Sequence, residues 1–217
     1  KIIKSINPAF IYTNIELQIL TKEKIITDYS IKNKEFKGYN SAHNLAYIKF
    51  TSGTSGKPKG VMISQLAMNN YVDWVIKAFQ ANNKDNWSQH PSLSFDISIT
   101  DIFGCLTTGG TLFPFIAESD KILPTEKIKK NKITIWNSVP SIIDTLSRLR
   151  KIKSENLGTI RLFNFCGEQL YKSQVTELSE AVPKSIIQNT YGPTEATVAC
   201  KAIALDKKMI ETYDSNV

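Results

Sequence analysis

Two periods of apolar spacing alternate along the chain. Short runs of roughly four to eight apolar, β-branched or aromatic residues are followed by stretches in which apolar positions recur every three or four residues. Leu45 to Phe50 predicts a strand, and Val61 to Ser64 a second, short one. Ser64 then caps a helix running to about Gln80, with Leu66, Tyr71, Trp74, Val75, Ala78 and Phe79 on one face. Ile99 to Leu106 predicts a helix that stops at Gly109-Gly110, and TLFPFI after it a strand. Pro124-Thr125-Glu126 opens a short basic helix. Ile133 to Val139 predicts a strand, and Pro140-Ser141 the start of the helix after it. Arg161 to Gly167 reads as a strand, Ser173 to Val182 as a helix, and SIIQNTYG and TVACKAIAL as two further strands. Residues 21–44, the most polar stretch, read as a loop or a small surface excursion.

Strand, helix and strand at this spacing predict an α/β fold with a mostly parallel sheet flanked by helices. Ligands of such sheets bind beyond the carboxyl ends of the strands. The segments richest in chemistry fall at those places: after Phe50, around Phe95, after Phe165 and after Thr190. One composite site is therefore expected.

Composition narrows the class. With 217 residues, 41% of them hydrophobic and 22% charged, the chain matches an ordinary globular domain, whole or partial. No run reaches the roughly 18 apolar residues of a membrane span, and KIIKSINPAF lacks the apolar stretch of a signal peptide. Cys105, Cys166 and Cys200 form no disulfide pattern and suit a reducing, cytoplasmic setting. His43 and His90 are too few for a His/Cys metal site. The net charge of +7 invites a nucleic-acid reading, but only Arg148, Arg150 and Arg161 of the 27 basic residues are arginine. Base readout leans on arginine forks, so no nucleic-acid partner is expected. The cluster at Lys127, Lys129, Lys130 and Lys132 reads as a solvated helix face.

Four segments carry candidate chemistry. In Thr51-Ser52-Gly53-Thr54-Ser55-Gly56-Lys57-Pro58-Lys59-Gly60, glycines let backbone N–H groups approach an anion, hydroxyls donate to phosphate oxygens, and lysines add charge. It is not a Walker A loop: with Gly56-Lys57 as its GK pair, the first glycine would fall on Thr51 and the Ser/Thr on Pro58. By composition alone, a flexible surface loop stays open. Tyr191-Gly192-Pro193-Thr194-Glu195 displays a ring, a hydroxyl and a carboxylate on one turn after a strand. In Phe95-Asp96-Ile97-Ser98 the carboxylate stands between apolar neighbours, where it is costly unless paired. A helix N-cap is the other reading of Asp96. Cys166-Gly167-Glu168 has no base nearby in sequence, so Cys166 reads as an inert pocket residue and not as a nucleophile.

LAYIKFTSGTSGKPKGVMIS resembles the phosphate-binding motif of the adenylate-forming enzymes. That superfamily includes the amino-acid adenylation domains of nonribosomal peptide synthetases, the D-alanine–carrier protein ligases and the acyl-CoA synthetases. Phe95 to Ser98, Gly109-Gly110-Thr111-Leu112, Asn137-Ser138-Val139-Pro140, Cys166-Gly167-Glu168 and Asn189 to Glu195 follow in the family's order and at about its spacing. The resemblance covers essentially the whole chain. One departure is Cys166, where the family usually has glycine.

The resemblance implies a fold, a reaction and roles. Residues 1–217 would be the central part of the family's large N-terminal subdomain, with the C-terminal subdomain absent. The chain begins at Lys1, and no YxTGD-type segment or hinge follows, so a partial adenylation domain is expected. The reaction implied is ATP-dependent activation of an amino acid to its adenylate, with pyrophosphate release and transfer to a carrier protein's phosphopantetheine thiol. Thr51, Ser52, Gly53, Thr54, Ser55, Gly56 and Lys59 would hold the departing phosphates. Gly167, Glu168, Asn189, Tyr191, Gly192 and Thr194 would hold the adenosine and α-phosphate, with Tyr191 stacked on adenine. Glu195 would ligate Mg²⁺, and Thr194, Glu195 and Lys59 would do the catalytic work. Asp96 would meet the substrate's α-ammonium in a pocket lined also by Ile97, Thr100, Asn137, Asn164, Cys166, Thr190, Val198 and Ala199. So polar a pocket suits a small or hydrogen-bonding side chain. An acyl-CoA or aryl-acid ligase, or a non-catalytic nucleotide-binding remnant, are the alternatives; Asp96 argues against the first two.

Overall fold

The computed structural model describes residues 10–12, 24–26, 41–52, 58–205 and 207–212. Its main body is a six-stranded sheet with helices on both faces. The strands are β5 (Asn86–Gln89), β6 (Thr111–Pro114), β7 (Ile135–Ser138), β8 (Leu162–Phe165), β9 (Ile186–Tyr191) and β10 (Lys201–Leu205). Their spatial order is β10-β9-β8-β7-β5-β6. All neighbours run parallel except β9 and β10, which pair antiparallel from Lys201↔Tyr191 to Leu205↔Ile187. The expected mostly parallel α/β sheet is therefore present.

Alternation along the strands divides the core in two. Ile135 and Leu162 face one side, against α1 (Gln65–Phe79) and α2 (Ser98–Thr108), with Val75, Phe79, Trp87 and Cys105. Trp136, Phe163 and Phe165 face the other side, packed by α4 (Thr125–Lys130), α5 (Ser141–Arg148) and α7 (Lys172–Ala181). Both β7 and β8 are buried along their whole length, as a central parallel strand must be. Two shorter helices, α3 (Glu118–Ile122) and α6 (Ser154–Leu157), complete this layer's connections, and α8 (Lys207–Thr212) follows β10. No helix among the described residues is long and apolar enough to cross a membrane.

Local chemistry sets the helix ends. The Ser64 hydroxyl accepts from the Ala67 N–H at 3.2 Å, so α1 starts where the sequence places it. Gly109, at φ 71°, ends α2 in the left-handed conformation that favours glycine.

The sequence reading needs three corrections. First, the strands β3 (Leu45–Thr51) and β4 (Lys59–Ser64) form an antiparallel hairpin of their own, outside the main sheet. The intervening segment is too short for the crossover that a parallel pair needs. The phosphate-loop segment is thus a hairpin loop, not a loop at a sheet strand's carboxyl end. Second, β5 carries no strand signal in the sequence, yet it lies inside the sheet between β7 and β6. Third, TLFPFI and TVACKAIAL contribute only Thr111–Pro114 and Lys201–Leu205; Thr197 and Val198 have φ of 61° and 70°, which strand geometry excludes. Within the polar stretch 21–44, β2 (Lys24–Ile26) pairs in parallel with β1 (Phe10–Tyr12).

Candidate functional site

The strand order reverses around β5. From it the chain passes outward to β6, then returns to β7 on the other side. That switch point opens a crevice at the carboxyl ends of the strands. A cleft of about 490 Å³ lies there. Its walls come from the loop after β5 (His90, Pro91, Ser92, Phe95, Asp96, Ile97), from Ser138 and Val139 after β7, from Cys166, Gly167 and Glu168 after β8, and from Gly192 after β9. Lys121, Ser141, Ile142, Thr145 and Val198 close it. A second hollow of about 450 Å³ adjoins it and is lined by Gly167, Glu168, Gln169, Leu170, Asn189, Thr190, Tyr191 and Gly192.

Asp96 occupies the turn ahead of α2. Its side chain is not the helix cap: Ile97 is the N-cap residue and makes no side-chain cap bond. Instead Asp96 Oδ2 is buried without a hydrogen-bond partner, on a residue that lines the cleft. Burial raises its pKa above the usual carboxylate range, against the Thr194 hydroxyl, nearby backbone N–H groups and Lys49, which favour the charged form. A carboxylate left one hydrogen bond short in a cleft suits a cationic ligand. Ile97, Cys166 and Val198 stand with it on the cleft wall. Burial raises the Cys166 thiol pKa as well, consistent with a pocket wall and not with a nucleophile.

Thr100, Asn137 and Asn164 are not brought to the cleft surface. They are fully or almost fully buried on α2, β7 and β8. The Thr100 hydroxyl bonds the Tyr71 hydroxyl at 2.8 Å, and Asn137 Nδ2 donates to Asp101 Oδ1 at 2.6 Å. Ala199 is half-buried behind Gly192. Thr190 is buried, donates to the Phe165 carbonyl at 3.1 Å, and borders the second hollow.

The turn after β9 gathers the other candidates. Tyr191 is 65% exposed beside the second hollow, leaving its ring free for a planar ligand. Gly192 permits the turn, since a Cβ there would stand 2.5 Å from Ala199 Cα and 2.8 Å from the Val198 carbonyl oxygen. Gly192→Ala is expected to push this turn off its neighbours and to lower kcat/KM for nucleotide at least about tenfold; steady-state kinetics would check it. Thr194 and Glu195 lie in a 3₁₀ turn, Thr194–Ala196, which packs against β4. The hairpin carrying Thr51, Ser52 and Lys59 is thereby held beside them, with Ser52 and Lys59 exposed. Gly53, Thr54, Ser55 and Gly56 lie outside the described residues. Glu168 Oε2 accepts from the Ser141 N–H at 2.9 Å, a carboxylate on the N-terminus of α5.

Four contributors were not singled out from sequence. His90 Nε2 is 2.9 Å from the Lys121 carbonyl, so it carries the proton there, and Nδ1 accepts from Trp136 Nε1 at 3.2 Å and faces Ser138 Oγ at 2.9 Å. Burial lowers its pKa, which keeps the imidazole neutral on the cleft wall. Asp101 is fully buried, and burial pushes its carboxyl well above the usual range despite the Asn137 bond. Tyr47 and Lys49 reach the Asp96 neighbourhood from the hairpin; burial and then Asp96 push the Tyr47 hydroxyl up to about 12. Only the period-2 alternation of Tyr47, Lys49 and Thr51 hinted at a shared face.

The family described as AMP-binding enzyme matches residues 12–215. The chain belongs to the AMP-binding enzyme family. Among AMP-binding enzymes, the D-alanine–D-alanyl carrier protein ligases of Staphylococcus epidermidis and of Staphylococcus aureus strain JH9 are each 31% identical to it over 98% of the chain. In both cases the match spans 45% of the relative, so the chain covers about half the length of these relatives. A crystal structure of the Vibrio cholerae adenylation domain AlmE with glycyl-adenosine-5'-phosphate superposes with a TM-score of 0.77 at 31% identity, over 84% of this chain and 34% of that one. The Klebsiella oxytoca NpsA N-terminal subdomain shares the fold at 17% identity, with a TM-score of 0.84 over all of this chain and 55% of that one.

Proposed function

We propose that the chain is part of a ligase that activates a small amino acid with ATP and passes it to a carrier protein. One observation carries the reading: Asp96, with its unpartnered buried oxygen, and the Tyr191–Glu195 turn meet at the crevice beyond β5, β7, β8 and β9. The names of the relatives support it, since D-alanine and glycine are both small amino acids. The cleft agrees: Ile97, Cys166 and Val198 form its wall, and Thr100, Asn137 and Asn164 are buried outside its lining, which leaves little depth for a large side chain. Residues 1–217 are read as part of a large N-terminal subdomain, the C-terminal subdomain not being among them.

In this reading a substrate carboxylate oxygen attacks the α-phosphorus of ATP and the bond to the β-phosphate breaks. Pyrophosphate leaves and an aminoacyl adenylate forms. A carrier's phosphopantetheine thiol then attacks the acyl carbon and AMP departs. Asp96 holds the α-ammonium, Tyr191 stacks on adenine, and Thr194 donates to the α-phosphate. The hairpin loop with Thr51, Ser52 and Lys59 steadies the phosphates that leave. Among the described residues, no group of three His, Cys, Asp or Glu could hold a metal unaided. The exposed Glu195 carboxylate nevertheless fits Mg²⁺, which takes one or two carboxylates and fills its remaining positions with phosphate oxygens and water. When bound, the ion would neutralise phosphate charge.

Amino-acid-dependent exchange of labelled pyrophosphate into ATP tests this in the full-length protein. Exchange is expected with glycine or D-alanine. Exchange with hexanoate, benzoate or phenylalanine, and with neither small amino acid, would overturn it.

A further inference from the structure

We propose that Ser138 and His90 form a proton relay that takes up the proton of the carrier's thiol during transfer and stands idle while the adenylate forms. The inference rests on the reading above and adds to its second step, for which no proton acceptor has yet been named.

The partners of the two side chains fix the direction of the relay. Trp136 Nε1 stands 3.2 Å from His90 Nδ1. An indole nitrogen can only donate, so Nδ1 carries no proton and accepts. The proton is on Nε2, 2.9 Å from the Lys121 carbonyl, which can only accept it. Ser138 Oγ, 2.9 Å from the same Nδ1, therefore donates to it. Its lone pairs remain to accept from another group, and Ser138 and His90 both line the cleft that Asp96 lines. The order is thus a donor in the cleft, the serine hydroxyl, the imidazole, and the backbone carbonyl that holds the ring. A hydroxyl with a base in hydrogen-bond reach, and a third group orienting the base, is the layout of an acid–base unit. His90 is buried, and burial keeps the ring neutral and able to take a proton. Lys121 of α3 is the charged group that faces it, its ammonium paired with Glu118 at 2.6 Å. Trp136 and Ser138 from β7, and Phe115 with its ring centroid 5.4 Å away, carry no charge.

Only one of the two half-reactions needs such a group. In adenylate formation the nucleophile is a carboxylate, which has no proton to lose. In transfer it is a thiol, whose reactive form is the thiolate. As the sulfur–carbon bond forms, the S–H proton passes to Ser138 Oγ and the Ser138 O–H proton passes to His90 Nδ1. The bond from the acyl carbon to the phosphate oxygen breaks, and AMP leaves with the electron pair. The imidazolium then gives its proton to water. Ser138 meets the thiol, and His90 acts through it.

The test uses the full-length protein, D-alanine, and pantetheine as the thiol. Two rates are measured: pyrophosphate exchange, and single-turnover transfer of labelled D-alanine from its preformed adenylate to pantetheine. The readout is the ratio of transfer to exchange. His90→Gln can still hydrogen-bond but has no basic nitrogen, and should lower the ratio about a hundredfold near neutral pH. Ser138→Ala should lower it to a similar extent, and decides the matter if His90→Gln does not fold. Ser138→Thr keeps a hydroxyl and should hold the ratio within about fivefold of wild type. The pH profile separates a relay from a structural role. Wild-type transfer should be flat between about pH 6.5 and about pH 8, where a neutral base takes the proton. In His90→Gln and Ser138→Ala it should climb about tenfold per pH unit there, following the thiol's own ionisation. An unmoved ratio, or a variant profile as flat as that of the wild type, overturns the inference alone. So does a wild-type protein that exchanges pyrophosphate but transfers nothing to pantetheine. Absence of exchange with both D-alanine and glycine in the wild type overturns the functional reading, and the inference with it.

Discussion

Arg161→Met is expected to destabilise the domain by about 2–3 kcal/mol, because it strips a buried carboxylate of an arginine that is itself one-third exposed to solvent, 33% against 3% for Asp85. Asp85 is 3% exposed, in the turn between α1 and β5. Arg161 grips it with two bonds, Nε to Oδ1 at 2.8 Å and Nη2 to Oδ2 at 2.7 Å. The same guanidinium caps the end of α1 through the Phe79 carbonyl at 2.8 Å. The Thr134 hydroxyl and the Asn82 N–H fill the remaining positions on the carboxylate. One arginine thus ties together the end of α1, the entry to β5 and the entry to β8. Methionine would fill much of the space but leave the carboxylate buried, so the loss is electrostatic. Urea denaturation of the full-length protein would measure it.

The pH dependence supplies an independent check. Burial raises the Asp85 pKa, but Arg161, the Asn82 N–H and Thr134 outweigh it and hold the carboxyl below its usual value. A depressed folded pKa means that the stabilisation is complete above the unfolded value near pH 4 and is lost as pH falls through the folded one. Without Arg161, burial gains the upper hand and the carboxyl prefers its proton. The gap between wild type and Arg161→Met should therefore shrink as pH approaches about 4. A gap that is constant between pH 7 and pH 4 would refute this account.

What the sequence disclosed and what it concealed have separate physical causes. The long apolar strands and α1 were legible because each is written in a single period, 2 or 3.6. Strand β5 was hidden because Asn86, Ser88 and Gln89 make it look like a loop. What makes it a strand comes from afar: Asn86 Nδ2 donates to the Asn131 and Lys132 carbonyls, and Trp87 lies so close to α2 that a Cβ on Gly104 would come within 2.7 Å of its ring, while Ser88 is fully buried with its hydroxyl unpaired. The partnering of β3 with β4, and not with the sheet, is a tertiary fact that a strand signal does not contain. In the site, resemblance supplied the positions Asp96 and Tyr191–Glu195 and their order along the chain. It did not supply depth. Asn137 and Asp101 are 36 residues apart, and nothing local announces that they bond and withdraw beneath the cleft. Lys49 is equally silent, because a lysine in a half-exposed hairpin strand reads as solvated surface until the Leu93 carbonyl is folded against it.

Asp96→Asn carries the largest expected effect on activity. An asparagine keeps the shape and the contacts with Thr194 but gives up the charge. Loss of one member of a desolvated charge pair costs about 2–5 kcal/mol, so kcat/KM for D-alanine should fall on the order of a hundredfold or more. The KM for ATP should change by less than about twofold, since the ring expected to stack on adenine, Tyr191, lines the neighbouring hollow and not the cleft with Asp96. Propionate, with no ammonium to lose, should be activated at least as well as by the wild type. The pH profile gives the second signature. Burial holds the Asp96 carboxyl above the usual range in the free enzyme, so kcat/KM for D-alanine should decline as pH falls through that raised value, above about pH 4. Asp96→Asn should remove this acid limb while the remaining slow rate stays flat. An equal loss with D-alanine and propionate would mean instead that Asp96 supports the loop ahead of α2, and that the ammonium is recognised elsewhere. A variant that loses D-alanine alone places the discrimination on one carboxylate, held short of a partner by the fold so that the substrate can supply it.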